Sequence, residues 1–229
     1  MRLSVIMPAH NEESTIDEII RRVLAVDMGD IELELIIVDD ASTDSTGEKL
    51  RAHEADPRIA VLTHGRNRGK GGAIRTGLDR AGGDFTVIQD ADLEYDPGEF
   101  PGLVRPIVEG EADVVYGSRF KGRVEDMRFA NRLANKILSL AVTILFFRRI
   151  SDEATCYKVF RTSDLRAFDL RCERFEFCPE VTAKALKRHL RLVEVPITYR
   201  ARTVEAGKKI RATDGLEAIW TLLRYRFTG

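Results

Sequence analysis

Cysteine is scarce in this chain. Cys156, Cys172 and Cys178 are three in 229 residues, too few and too irregularly spaced for a disulfide framework. No C-x-x-C pair occurs, so the usual zinc and dithiol motifs are excluded and a reducing compartment is expected. Long apolar runs are also missing. The longest uncharged one, residues 137–147, has eleven residues, whereas a spanning helix needs about 20. Residues 1–8 do not read as a secretory leader, because Pro8 and His10 interrupt a short apolar run. The expected location is cytoplasmic, lying on a membrane at most. Two nucleotide signatures are absent: G-x-x-x-x-G-K-[ST], and G-x-G-x-x-G after the first strand. Their absence disfavours a P-loop nucleotidase and a dinucleotide oxidoreductase. A net charge of −1 without an aromatic and basic platform argues against a nucleic-acid partner.

What is present is a foldable composition, 44% hydrophobic and 32% charged. The charge is unevenly placed. Residues 1–114 carry 12 Lys and Arg against 24 Asp and Glu, and the remainder carries 24 against 13. An acidic first half suits cations, and a basic second half suits phosphates or an anionic membrane.

The hydrophobic pattern predicts strands over residues 3–7, 33–38, 59–63, 84–89 and 113–116. Helices are predicted over 12–26, 42–56, 69–81 and 101–109. This alternation implies an α/β fold with a mainly parallel sheet, right-handed crossovers and helices on both faces. Further strands are predicted at 155–160 and 192–199, and helices at 133–147, 180–189 and 213–225. No repeat or low-complexity linker divides the chain, so residues 1–229 are expected to form a single domain.

Polar chemistry follows the strands, at residues 8–13, 39–44, 90–96 and 117–120. Ligands of open α/β sheets bind beyond the carboxyl ends of strands. Asp90-Ala91-Asp92 sets two carboxylates on one face of extended chain, with Glu94 next. Such oxygens suit Mg²⁺ or Mn²⁺ completed by substrate phosphates, although the same spacing also makes a polar turn. Asp39-Asp40 suits a base or ribose, or caps the next helix through Ser42 or Asp44. Residues 66–72, Arg-Asn-Arg-Gly-Lys-Gly-Gly, have the chemistry of a phosphate loop without its spacing, or simply shape a turn. Residues 133–147 read either as an interfacial helix beside basic residues or as a core or dimer helix.

Five segments occur in order: Pro8-Ala9-His10-Asn11-Glu12-Glu13, Val38-Asp39-Asp40-Ala41-Ser42-Thr43-Asp44, residues 66–72, Asp90-Ala91-Asp92-Leu93 and Gly117-Ser118-Arg119-Phe120. Together they resemble family 2 glycosyltransferases with the Rossmann-like GT-A fold, nearest to the dolichol-phosphate and polyprenyl-phosphate mannosyl- and glucosyltransferases. The resemblance implies a nucleotide-sugar-binding half at 1–120 and an acceptor, membrane-proximal half at 121–229. It implies that Pro8, His10, Glu12, Val38 and Asp40 line the base and ribose pocket, and that Asp90, Ala91 and Asp92 meet the donor diphosphate. Asp90, Asp92 and Glu94 would hold Mg²⁺ or Mn²⁺. Arg119 and Arg132 would grip an acceptor phosphate, and Arg202 and Lys208 the donor diphosphate. His10 stands where tyrosine is usual, Glu94 where glutamine is frequent, and Thr155-Cys156-Tyr157 where T-G-F is frequent.

The activity so implied is inverting transfer of a hexose from GDP-mannose or UDP-glucose to a polyprenyl phosphate. Peripheral membrane association is implied with it, with a homodimer or a membrane-protein partner as the two ways of tethering. Two alternatives stand beside it: a polysaccharide, protein or small-molecule hydroxyl acceptor, and a non-catalytic scaffold that binds nucleotide sugars. A hydroxyl acceptor needs a base, for which Asp152 is the candidate, with a turn cap as its other reading.

Overall fold

The computed structural model describes residues 1–202 and 212–228. Their elements run β1 (Arg2–Ala9), α1 (Ile16–Leu24), β2 (Glu32–Asp39), α2 (Thr46–His53), β3 (Ile59–Thr63), α3 (Gly69–Arg80) and β4 (Phe85–Ile88). A 3-10 turn (Pro97–Glu99) leads into α4 (Phe100–Val108), β5 (Val114–Glu125), α5 (Phe129–Phe146), β6 (Lys158–Arg161) and α6 (Thr162–Ala167). The chain closes with α7 (Phe177–Lys187), β7 (Leu192–Arg200) and α8 (Ala212–Phe227).

The seven strands form one sheet in the order β3-β2-β1-β4-β6-β5-β7. β1 pairs in parallel with β2 and β4, β2 with β3, and β5 with β7. β6 runs antiparallel between β4 and β5. Leu3, Val5, Ile6 and Met7 of β1 are all fully buried, so both faces of the central strand are covered, as continuous apolar strands require. α1 forms because Ile16, Ile19, Ile20 and Val23 make one apolar stripe, and all four are buried.

Two expectations are corrected here. β5 does not stop at Tyr116. It runs on through Gly117-Ser118-Arg119-Phe120 to Glu125, pairing with β7 across a register break between Ser118 and Arg123. That polar segment lies inside a strand, because Gly117 and Ser118 keep their ladder partners Val195 and Pro196. The helix expected over residues 133–147 begins earlier, at Phe129, and is 18 residues long. By length and composition it is sufficient to cross a membrane, yet only 17% of it is buried in the fold. The short α6 was not expected from the sequence.

Candidate active site

The parallel strands β1, β2 and β4 deliver their carboxyl ends to one edge, with Ala9 beside Asp39 and Ile6 beside Ile88. The chain leaves β1 and β2 through left-handed residues, Asn11 at φ 53° and Ala41 at φ 58°. Neither is glycine, so each conformation carries strain. The two turns lock together: Asn11 N–H donates to Ser42 Oγ (3.1 Å), and Thr43 N–H to Asn11 Oδ1 (2.8 Å). The same turns are tied by Asp40 N–H, which donates to Ala9 O (2.8 Å), and by Glu12 N–H, which donates to Thr46 Oγ1 (2.9 Å).

Both Asp40 oxygens are engaged. Oδ1 accepts Arg68 N–H (2.7 Å) and lies 2.7 Å from His64 Nδ1, while Oδ2 accepts Gly69 N–H (2.7 Å). His64, which sequence reading missed, also reaches Thr76 Oγ1 at 2.9 Å. Asp40 thus organises the 66–72 loop from below. Two more of that loop's amides serve the protein rather than a ligand: Gly71 N–H donates to Arg174 O (2.9 Å) and Gly72 N–H to Glu173 O (3.0 Å). A Cβ on Gly71 would meet the Cys172 carbonyl at 2.8–2.9 Å, so glycine is needed there for close backbone approach. The expected cap from Ser42 or Asp44 is not formed: the N-cap of α2 is Ser45, which makes no side-chain cap bond, and Asp44 Oδ1 accepts Thr46 N–H (3.0 Å) in the turn before it.

Beyond β4, Asp90 and Asp92 are both held in the site, each with a cation. Asp90 Oδ1 meets Lys70 Nζ at 2.5 Å, and Asp92 Oδ2 meets Arg202 Nη2 at 2.7 Å. Arg202 Nη1 also reaches Glu12 Oε2 at 3.0 Å. Ala91 O accepts the Thr15 hydroxyl at 2.9 Å, tying the start of α1 to this turn. Burial pushes Asp92 up, and the charges of Asp90 and Glu94 push it further, so its carboxyl is raised to about 7 despite Arg202. Burial acts the same way on Asp90, but the Lys70 ammonium overcomes it and holds that carboxyl below its ordinary value.

Glu94 is used differently. Its Oε2 accepts the Tyr199 hydroxyl (2.8 Å) and its Oε1 the Arg202 N–H (2.7 Å), which pins the end of β7 to the site. Tyr199 also stacks on the Arg119 guanidinium, 5.0 Å from ring centre to Cζ. Arg119 itself is buried. Its Nε and backbone N–H donate to Asp152 Oδ2 (2.7 and 2.9 Å), and its Nη2 to Oδ1 (2.7 Å). Asp152 is fully buried with both oxygens on Arg119, so it is not presented as a base, and it caps no helix. Arg132 is exposed on α5. Arg119 and Arg132 each lie 5.9 Å from the Phe120 ring centre, so the structure does bring them together around one aromatic side chain. Pro8 is half-buried beside Val38, its register partner, and Val38 is buried. Lys208 lies outside the described residues.

Residues 4–168 match Glycosyl transferase family 2. The chain belongs to that family. It is 29% identical to a dolichol-phosphate mannosyltransferase of Pyrococcus furiosus over 98% of this chain, and it spans 64% of that relative. It is 30% identical to the UDP-N-acetylglucosamine–dolichyl-phosphate N-acetylglucosaminyltransferase of Methanococcus voltae, over 96% of this chain and 94% of the relative. Among solved structures, glucosyl-3-phosphoglycerate synthase of Mycobacterium tuberculosis, in complex with Mn²⁺, UDP and phosphoglyceric acid, superposes with a TM-score of 0.75. That match has 21% identity and covers 100% of this chain and 79% of that one. This likeness shows the GT-A fold.

The family raises the question of a divalent ion, and the residues answer it in part. Among the described residues, no three His, Cys, Asp or Glu side chains are grouped as a metal site. Glu94 does not complete a set with Asp90 and Asp92, because both its oxygens are committed to Tyr199 and Arg202. What fits is a two-carboxylate arrangement of hard oxygen donors. Four carboxylates gather here, Glu12, Asp90, Asp92 and Glu94, with Lys70 on Asp90 and Arg202 on Glu12 and Asp92, and the charges of Asp90 and Glu94 help to raise Asp92. Mg²⁺ is commonly held by one or two carboxylates together with substrate phosphates. Lys70 was within the glycine loop read from the sequence but was not singled out. Its signal is a lysine on the first turn of a helix that begins beside a strand end.

Proposed function

We propose that this family 2 chain is an inverting glycosyltransferase. It moves a hexose from a nucleotide sugar, GDP-mannose or UDP-glucose, to a polyprenyl phosphate at the cytoplasmic face of a membrane. In this reading residues 1–120 serve the donor and 121–229 the acceptor, within one domain. The observation that carries it is the gathering of four carboxylates, Glu12, Asp90, Asp92 and Glu94, around Lys70 and Arg202 at the carboxyl ends of β1 and β4. Both relatives above bear names that specify a dolichyl phosphate acceptor, which supports the acceptor class.

Asp90 and Asp92 would hold Mg²⁺ or Mn²⁺, which supplies electrostatic neutralisation of the donor diphosphate when bound. Pro8, His10, Val38 and the Asp40-braced loop flank the base and ribose. Arg202 and Lys70 lie where charge develops on the departing nucleoside diphosphate, and such preorganised cations stabilise it. A phosphate acceptor is already ionised near neutral pH and needs no base. The commitment of Asp152 to Arg119 supports a phosphate over a hydroxyl acceptor. Arg132, with the N–H groups of Arg119 that Asp152 does not use, receives that phosphate beside Phe120.

Membrane contact falls to α5. Phe129, Leu133, Ile137, Leu140 and Ile144 recur at helical spacing and are exposed, and Phe147 follows them. No acidic residue occurs from Met127 to Ser151, while Arg128, Arg132, Lys136, Arg148 and Arg149 do. An apolar stripe rimmed by cations suits an anionic bilayer surface. On the neighbouring α8, Leu216, Trp220 and Phe227 are also exposed.

The test is a panel of labelled nucleotide sugars with Mn²⁺ and polyprenyl phosphate vesicles. Label should move into the organic phase. Turnover on a water-soluble hydroxyl acceptor with no response to polyprenyl phosphate would favour the other acceptor class instead.

A further inference from the structure

Arg202 makes an uncommon set of contacts. One guanidinium touches Asp92 at 2.7 Å and Glu12 at 3.0 Å, and stands 3.9 Å from Glu94. Its own backbone N–H donates to Glu94 Oε1 at 2.7 Å, so main chain and side chain are held by the same cluster. The position is only one-fifth exposed, and Tyr199 holds the other Glu94 oxygen. Lys70 by contrast neutralises Asp90 alone. The two cations therefore divide the acidic pair between them: Asp90 is held from α3 and Asp92 from the end of β7.

We infer that Arg202 is an internal counter-ion seated on Asp92 and Glu12, and that it makes divalent-ion binding and nucleotide-diphosphate binding cooperative. The inference rests on the donor-site reading above and concerns how that site is regulated. With Arg202 in place, Asp92 is not free to act as a ligand. To release it, the guanidinium must exchange two carboxylate bonds for other anionic partners, because an unpaired guanidinium in a partly buried place is costly. A divalent ion brings Arg202 no such partner. A diphosphate does: its oxygens match the planar fork of a guanidinium and also supply ligands to an ion on Asp90 and Asp92. Each ligand alone meets a closed arrangement of charges, and the two together satisfy every member of it. By reciprocity, the factor by which nucleotide tightens the ion equals the factor by which the ion tightens nucleotide.

The experiment is calorimetric titration of Mn²⁺, checked by the free-Mn²⁺ spin-resonance signal, into wild type and Arg202→Gln, each with and without saturating UDP or GDP. Wild type should bind Mn²⁺ about tenfold or more tightly when the diphosphate is present, and the reverse titration should return the same factor. Nucleotide-free R202Q should bind Mn²⁺ about tenfold more tightly than nucleotide-free wild type, with most of the coupling gone. Matching melting curves would establish that R202Q is folded. A folded R202Q whose nucleotide-free Mn²⁺ affinity and coupling equal those of wild type overturns the inference while leaving the donor-site reading intact. If neither protein binds UDP or GDP, the donor-site reading fails and the coupling fails with it, and a gain of Mn²⁺ affinity in R202Q would then leave only the counter-ion seat.

Discussion

The strand-end cluster and the α5 face are built on opposite principles. At the ends of β1, β2 and β4 the carboxylates are held by the protein: Asp40 by two amides and His64, Asp92 by Arg202, Glu94 by Tyr199. Along α5 the large side chains are apolar, and most are left exposed. A region that must fix a charged ligand is preorganised by its own hydrogen bonds. A region that meets a fluid surface needs only area and sign of charge. The Arg119–Asp152 pair stands between the two, linked to the first through Tyr199 and to the second through Phe120 and Arg132.

Breaking that junction should have the largest effect. Arg119→Met leaves the Asp152 carboxylate buried without its cation, and a loss of about 3–5 kcal/mol in unfolding free energy is expected, measured by denaturant titration. A loss under about 1 kcal/mol would mean that the pair is not the junction described. Next comes the strand-end cluster. Asp92→Asn should lower sugar transfer by about 10²–10³-fold without loss of folded protein. The α5 face separates from it by the opposite pattern. Ile144→Glu with Phe147→Glu should weaken vesicle binding about tenfold or more, through lost apolar burial, and leave nucleotide affinity unchanged in calorimetry. If the double variant instead disturbs nucleotide binding, the two regions are not separable.

A further effect is on stability against pH. An unfolded aspartate titrates near about 3.9, and Asp92 is raised to about 7 in the fold. Between those values the folded state holds the extra proton, so the contribution of Asp92 to stability falls as pH rises through that window. Asp92→Asn removes the dependence. Its melting temperature should gain on wild type from pH 4 to pH 8, and a constant difference would contradict the raised carboxyl.

Much of this was legible in the sequence where a residue's role follows from local pattern. The stripe of α1 and the apolar runs of β1 and β2 gave their elements, and Asp90 and Asp92 do share one site. What was not legible depends on distant partners. Arg119 and Asp152 are 33 residues apart in sequence, and nothing in either segment announces that each consumes the other. Glu94 reads as a third ligand by spacing, but its oxygens are claimed by Tyr199 and Arg202, more than a hundred residues on. The glycines at 69–72 look made for phosphate, and they instead allow close approach to the main chain of residues 172–174. β5 outlasts its apolar run because β7 continues to pair with it.

The central claim is that Asp90 and Asp92 hold a divalent ion against a sugar nucleotide's diphosphate. A crystal soaked with Mn²⁺ and a nucleoside diphosphate tests it most directly, through the anomalous signal of the metal. The account predicts a peak bridging the Asp90 and Asp92 carboxylates and the diphosphate, with Arg202 moved from Asp92 onto the phosphates. A nucleotide seated elsewhere, for example in the groove of Arg66, Arg75 and Arg166 between α3 and α6, with no metal at the two aspartates, would contradict it.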